Sequence, residues 1–172
     1  MKRISSFTLI AFSILFFGFT TPEKPKTLDD LGKEIFEAIN NKDLKMVKSF
    51  IVTAEEIEST IDNSDMAEDK KTVFKSQFAD KITTDMDKTV LQIEKGFNEI
   101  RKNIKSKKCK GGVTIGQITP KTNKLRNLPI ELGDLEILYS CKDDIEKINV
   151  EVIKTDAGWR ILEKLRLVYK ER

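Results

Sequence analysis

The stretch Met86–Ile104, MDKTVLQIEKGFNEIRKNI, decides how the rest of the chain must fold. Its apolar residues fall at Met86, Val90, Ile93, Phe97, Ile100 and Ile104. Steps of four and three trace one stripe along an α-helix, because residues three and four apart lie on one face. Asp87, Lys88, Glu94, Lys95, Asn98, Glu99, Arg101 and Lys102 fill the gaps with a charged, solvated surface. The stripe lasts under three heptads, short of a coiled-coil seam. Its cover is therefore expected within the same chain.

Downstream the period of the pattern changes from 3.6 to 2. Val113-Thr114-Ile115 opens one strand. Leu135, Ile137, Tyr139 and Cys141 alternate with Glu136, Leu138 and Ser140 in a second, and Ile148, Val150 and Val152 with Lys147, Asn149 and Glu151 in a third. Trp159, Ile161, Leu165 and Leu167 alternate with Arg160, Leu162, Lys164 and Arg166 in a fourth. Lys142-Asp143-Asp144 and Thr155-Asp156-Ala157-Gly158 carry hairpin turn chemistry between them. A two-residue turn at Asp143-Asp144 sets Tyr139 opposite Ile148, Ile137 opposite Val150 and Leu135 opposite Val152. All the large apolar residues then share one face, which a slip of one residue would destroy. Ile130 and Leu132 have the other parity, so placing them in the same strand requires a bulge at Gly133-Asp134.

Upstream the pattern is helical. Thr27-Leu28-Asp29-Asp30 is a capped start, after which Leu28, Leu31, Ile35, Ala38 and Ile39 line one face and Asn40-Asn41 ends the helix. Asp43 caps a second helix bearing Leu44, Val47 and Ile51, and Thr53-Ala54-Glu55-Glu56 is a capping box for a third through Ile57 and Ile61. Val73, Phe74, Phe78 and Ile82 continue in helical spacing from Met66. Thr84 with Asp87 makes a further capping signal, so two helices meeting near Thr84 are predicted, with one kinked helix as the alternative. Gly111-Gly112 is the expected stop. The fold class is α+β: N-terminal helices followed by a four-stranded antiparallel meander packed on a long helix. Residues 27–172 are read as a single domain, helical over 27–110 and sheet over 113–170.

Residues 1–21 have the pattern of a signal peptide. Lys2 and Arg3 precede Phe7–Phe19, an apolar run of thirteen residues, which suits a signal core and is short for a span of about 20. Cleavage is expected near Thr20, with an uncleaved anchor as the alternative, and residues 22–26 (PEKPK) form a linker. Either way the body is expected to be exported, secreted or periplasmic. Setting aside Lys2 and Arg3 leaves 29 of the 31 basic residues against 28 acidic ones, a net +1. Such a balance supplies no global field to recruit nucleic acid, and no nucleic-acid partner is expected. The chain contains no histidine, which removes the commonest general base and metal ligand near neutral pH.

Ile39-Asn40-Asn41-Lys42-Asp43-Leu44 and Asp156-Ala157-Gly158-Trp159-Arg160-Ile161-Leu162, with the helix-then-meander order, resemble cystatin-like and nuclear-transport-factor-2-like domains. The resemblance spans 30–50 and 110–170 and implies a sheet cupped around a helix, often with a pocket. The helices over 54–82 depart from the simple pattern. The Asp–His equipment of enzymatic members cannot exist here, and the Gln-x-Val-x-Gly motif of cystatin inhibitors is absent.

Cys109 and Cys141 are the only cysteines, and in an exported chain they are candidates for a disulfide. Pairing Gly111 and Val113 with Tyr139 and Ile137 would set them opposite one another. Two cysteines without histidine do not make a zinc site. Asp62-Asn63-Ser64-Asp65-Met66-Ala67 lacks the glycine and acid spacing of a calcium loop. No phosphate loop or nucleophile elbow is present, and neither a metal nor a cofactor is expected. Glu163 interrupts the apolar row of the last strand, where it would sit at a frayed margin or bulge, or line a pocket with Tyr139 and Trp159. Arg101, Lys102, Lys105, Lys107, Lys108 and Lys110 form a basic tail, either a helix cap or a patch for an anionic partner. Lys121, Lys124 and Arg126, in a loop read over 119–129, could extend it.

These readings point to a non-enzymatic exported domain that binds a small molecule or protein. The alternatives are a carboxylate-dependent enzyme using Glu163 and a helix-mediated assembly protein. Membrane contact is expected only through an uncleaved signal segment or weak surface binding.

Overall fold

The computed structural model describes residues 25–109, 112–124, 130–141 and 144–169. The residues read as a signal peptide (1–21), most of those read as a linker, Lys110 and Arg126 lie outside them. Three short helices lead the domain: α1 (Leu28–Asn40), α2 (Leu44–Ser49) and α3 (Ala54–Asp62). Each starts at the expected cap. Thr27 Oγ1 accepts from the Asp30 N–H at 3.0 Å, Asp43 Oδ1 from the Met46 N–H at 2.9 Å, and Thr53 with Glu56 closes a capping box.

The chain then forms one helix, α4 (Glu68–Ser106), of 39 residues. The predicted break at Thr84 does not occur. Phe74, Phe78, Ile82 and Met86 continue the four-residue spacing across it, and no proline or glycine stands there to stop propagation. Nor do the glycines end it. Lys107 is the C-cap, and Lys108 takes the left-handed conformation (φ 47°) that glycine usually occupies.

Strands β1 (Thr114–Lys124), β2 (Glu131–Cys141), β3 (Asp144–Thr155) and β4 (Gly158–Val168) form an antiparallel meander in the order β1-β2-β3-β4. The expected register is off by two residues. Ile137 faces Ile148, Leu135 faces Val150 and Cys141 faces Asp144. A two-residue shift keeps parity, so the apolar residues still share one face. β1 runs through Lys124, so 119–124 is strand where the sequence reading placed a loop, and Ile115, not Gly111, lies opposite Tyr139.

The shared face makes the main core. Ile93, Phe97, Ile100 and Ile104 of α4 meet Leu135, Ile137, Ile148, Val150, Ile161 and Leu165, with α1 and α2 closing the side. Gly96 sets the approach: a Cβ there would lie 1.7 Å from the Leu165 carbonyl oxygen, so helix and strand touch backbone to backbone.

A second core lies on the opposite face. Val52, Ile57, Ile61, Ile130 and Ile153 pack there, with Phe74, Phe78, Ile82, Leu132 and Leu162 half-buried around them. This core explains the parity of Leu132 without a bulge at Gly133-Asp134, and the β2–β3 register is unbroken there. A helix of this length spans about 58 Å and an eleven-residue strand about 36 Å. The excess of α4 overshoots the main core and is covered by α3. No helix among the described residues is long and apolar enough to cross a membrane.

Candidate functional site

β4 is an edge strand whose cover changes along its length. At its start, Trp159 N–H donates to the Pro25 carbonyl at 3.0 Å, so Pro25, placed in the linker by the sequence, is buried against the sheet. Ile161 N–H donates to the Phe50 carbonyl at 2.8 Å, and its own carbonyl accepts from Val52 N–H at 3.0 Å, making Ile51 a one-residue parallel bridge. Farther along, Gly96 of α4 comes onto Leu165. Between these two covers the register shifts: Val152 pairs with Ile161 and Val150 with Leu165, leaving Leu162–Lys164 bulged outward.

The bulge opens a cavity of about 390 Å³ against α4. Ile51, Val52, Phe78, Ile82, Met86, Leu132 and Leu162 form its apolar wall. Lys81, Asp85, Lys88, Thr89 and Gln92 from α4 and Glu163 from β4 supply its polar groups. Phe78, Ile82, Asp85, Thr89 and Gln92 follow helical spacing, so one column of α4, adjacent to the Ile93–Ile104 stripe, faces it. The Gln92 Oε1 atom is shielded from solvent and has no hydrogen-bond partner among the described residues. A buried acceptor left unpaired costs about 1–3 kcal/mol, which a donor brought by a ligand would recover.

Glu163 thus lines a pocket between helix and sheet. The structure does not bring Tyr139 or Trp159 to it. Tyr139 is fully buried in the main core, packed on Phe36 at 5.9 Å between ring centroids and donating to Asn103 Oδ1 at 3.3 Å. Burial pushes its phenol well above the usual range. Trp159 is buried in the same core, with Lys154 Nζ 5.9 Å from its ring centroid.

Arg160 is buried at the other end of the second core although sequence parity placed it outward. Its Nε donates to both Glu56 carboxylate oxygens at 2.9 and 3.0 Å, and its terminal nitrogens donate to the carbonyls of Trp159 and Ala157 at 2.8 and 3.0 Å. The same Glu56 completes the α3 capping box, so this ion pair locks α3 to the sheet. Capping-box spacing reveals the helix start; nothing in it reveals the distant arginine.

The basic tail divides. Lys107 turns to the β2–β3 end of the sheet, paired with Glu146 and with Asp144 at 2.9 Å, and those hydrogen bonds hold its ammonium above the usual lysine range. Arg101, Lys102, Lys105 and Lys108 instead border an open depression of about 780 Å³, joined by Lys42 from the α1–α2 turn. Lys121, expected to extend this patch, pairs with Glu136 at 2.9 Å.

Cys109 and Cys141 form a disulfide with Cα atoms 5.3 Å apart. The register invoked for it is not the one observed. Cys109 instead follows the α4 terminus, which places it over the end of β2. Among the described residues no three His, Cys, Asp or Glu side chains converge as metal ligands. No protein-family model, curated protein or solved structure matches the chain.

Proposed function

We propose that this protein is an exported binding domain that takes a small, largely apolar ligand with a hydrogen-bond donor into the pocket between α4 and the β4 bulge. The unpartnered Gln92 Oε1 beside the apolar wall of Ile51, Val52, Phe78, Ile82, Met86, Leu132 and Leu162 carries the reading. A volume of about 390 Å³ falls within the range of small-molecule sites. Asp85 and Glu163 favour a donor or cationic head, while Lys81 and Lys88 limit net negative charge at the mouth. Export is supported by the N-terminal apolar run and the Cys109–Cys141 bridge. The cystatin-like and nuclear-transport-factor-2-like order of elements is consistent with a pocket of this kind.

N-phenyl-1-naphthylamine, an apolar amine with one N–H, is a suitable probe. Saturable fluorescence enhancement is expected, abolished by Met86→Trp, which fills the cavity, and weakened by Gln92→Leu. Enhancement that ignores Met86→Trp would place the probe elsewhere and defeat the proposal.

The enzymatic alternative rests on Asp85 and Glu163 lining one cavity. It requires a hydrolytic activity that disappears in Glu163→Gln while the naphthylamine still binds.

A further inference from the structure

The depression beside the α4 terminus has a second set of properties, independent of the α4–β4 pocket. Among the described residues five cations border it, Lys42, Arg101, Lys102, Lys105 and Lys108, and no carboxylate does. Arg101 is committed internally: it donates to the Ile39 and Asn40 carbonyls at 3.1 Å each, capping the end of α1. The four lysines are exposed, and none makes an ion pair among the described residues. Lys107, the C-cap of the same helix, shows that lysines here can be neutralised by nearby acids.

Backbone geometry adds a second observation. Among the described residues, Lys42 (φ 63°) and Lys108 (φ 47°) are the two non-glycine positions in the left-handed region. Each directly follows a helix C-cap, Asn41 and Lys107, where glycine is the unstrained choice. Both strained positions carry lysine, and both border the same depression. Cation–dipole attraction explains part of this, since two helix C-termini contribute about half a negative charge each. That total of about one charge is far below five cations. The depression stays strongly positive.

We propose that it binds a compact, multiply charged oxyanion: a phosphate-bearing group on a soluble molecule or on a lipid head. Cations bordering one depression from two helix ends suit a multiply charged anion, and the disulfide at Cys109 fixes the wall that holds Lys108.

The full chain titrated with inorganic tripolyphosphate at low salt should show saturable one-to-one binding that weakens as salt rises. The double variant Lys42→Gly, Lys108→Gly should bind about tenfold more weakly. Its melting temperature should hold or rise, because glycine relieves both left-handed positions. Lys102→Glu with Lys105→Glu, on the exposed helix face, should produce the same loss without touching either turn. Flotation with phosphatidylglycerol-containing vesicles, lost in both variants, would assign the anion to a lipid head; tripolyphosphate binding without flotation would assign it to a soluble molecule. Flotation on phosphatidylcholine alone, with no tripolyphosphate binding, would report only the N-terminal apolar segment and overturn the proposal. Undiminished affinity in both folded variants would overturn it equally.

Discussion

Between Thr89 and Ile104, α4 is seated in the main core: Ile93 and Ile100 are fully buried, and Gly96 brings the helix backbone onto β4. Between Glu68 and Lys88 the same helix has no buried side chain among those described; Phe74, Phe78 and Ile82 are half-buried over the second core. The two halves have similar apolar spacing but different partners. One meets the apolar sheet face of the main core; the other meets α3 and the oppositely facing Leu132, Ile153 and Leu162 of β2, β3 and β4. A tight seam and a loose one in a single rigid element leave space where one becomes the other, and the pocket sits at that junction. Packing quality along α4, rather than its sequence pattern, therefore positions the candidate site.

The strongest way to break this contrast is at Gly96. Gly96→Val has no room against the Leu165 carbonyl and is expected to abolish cooperative urea unfolding, whereas exchanging a hydroxyl for a methyl on the exposed part of the loose half, as in Thr84→Val, should change the midpoint little. A stable Gly96→Val protein would mean that helix and strand do not touch as described.

Reducing the disulfide comes next. It closes a loop across a sequence separation of 32, so reduction should cost roughly 3–4 kcal/mol on the chain-entropy account. Amide exchange should show the lost protection concentrated in the tight half of α4, with residues 68–85 changing little. Uniform loss along the helix would erase the distinction between its halves.

Ile100→Ala should then cost about 3 kcal/mol, and Phe78→Ala only about 1–2 kcal/mol despite the larger ring, because that ring is already half in water. Equal costs in denaturant titrations would contradict the two-seam description.

The smallest effect is a titration. Tyr139 in the main core and Tyr169 at its margin both have raised phenol ranges, the first from burial and the second from the hydrogen bond it donates to Glu99. A raised folded value favours the neutral form, so this stabilisation is complete below the unfolded value of about 10 and is lost as pH rises through the folded values. Alkaline absorbance should show both phenols ionising later in the native protein than in urea. Native titration at the unfolded value would place Tyr139 in solvent.

The main core was legible because one period identifies each element: Ile93, Phe97 and Ile100 at helical spacing, Ile148, Val150 and Val152 at strand spacing. The caps at Thr27, Asp43 and Thr53 were equally plain, since their hydrogen bonds span three residues. The second core was hidden. Arg160, Leu132 and Ile153 occupy positions that alternation assigns to water, and only the fold of α3 and the overshoot of α4 cover them. The continuity of α4 through Thr84 was ambiguous for a related reason: a capping signal acts only where the chain actually turns. Of the candidate sites, Glu163 was found as an interruption in an apolar row, a local signal. Gln92 and Lys42 gave none, because each matters through a partner surface contributed by distant residues.

The bridge between Cys109 and Cys141 also determines what a protease can accomplish. The whole β1–β2 hairpin lies inside the covalent ring it closes, and the exposed Lys121 is one accessible cleavage point within that ring. A single cut there severs the backbone yet leaves both fragments on one molecule, migrating as an intact chain until a reductant separates them. Cuts in β3 or β4 have no such safeguard.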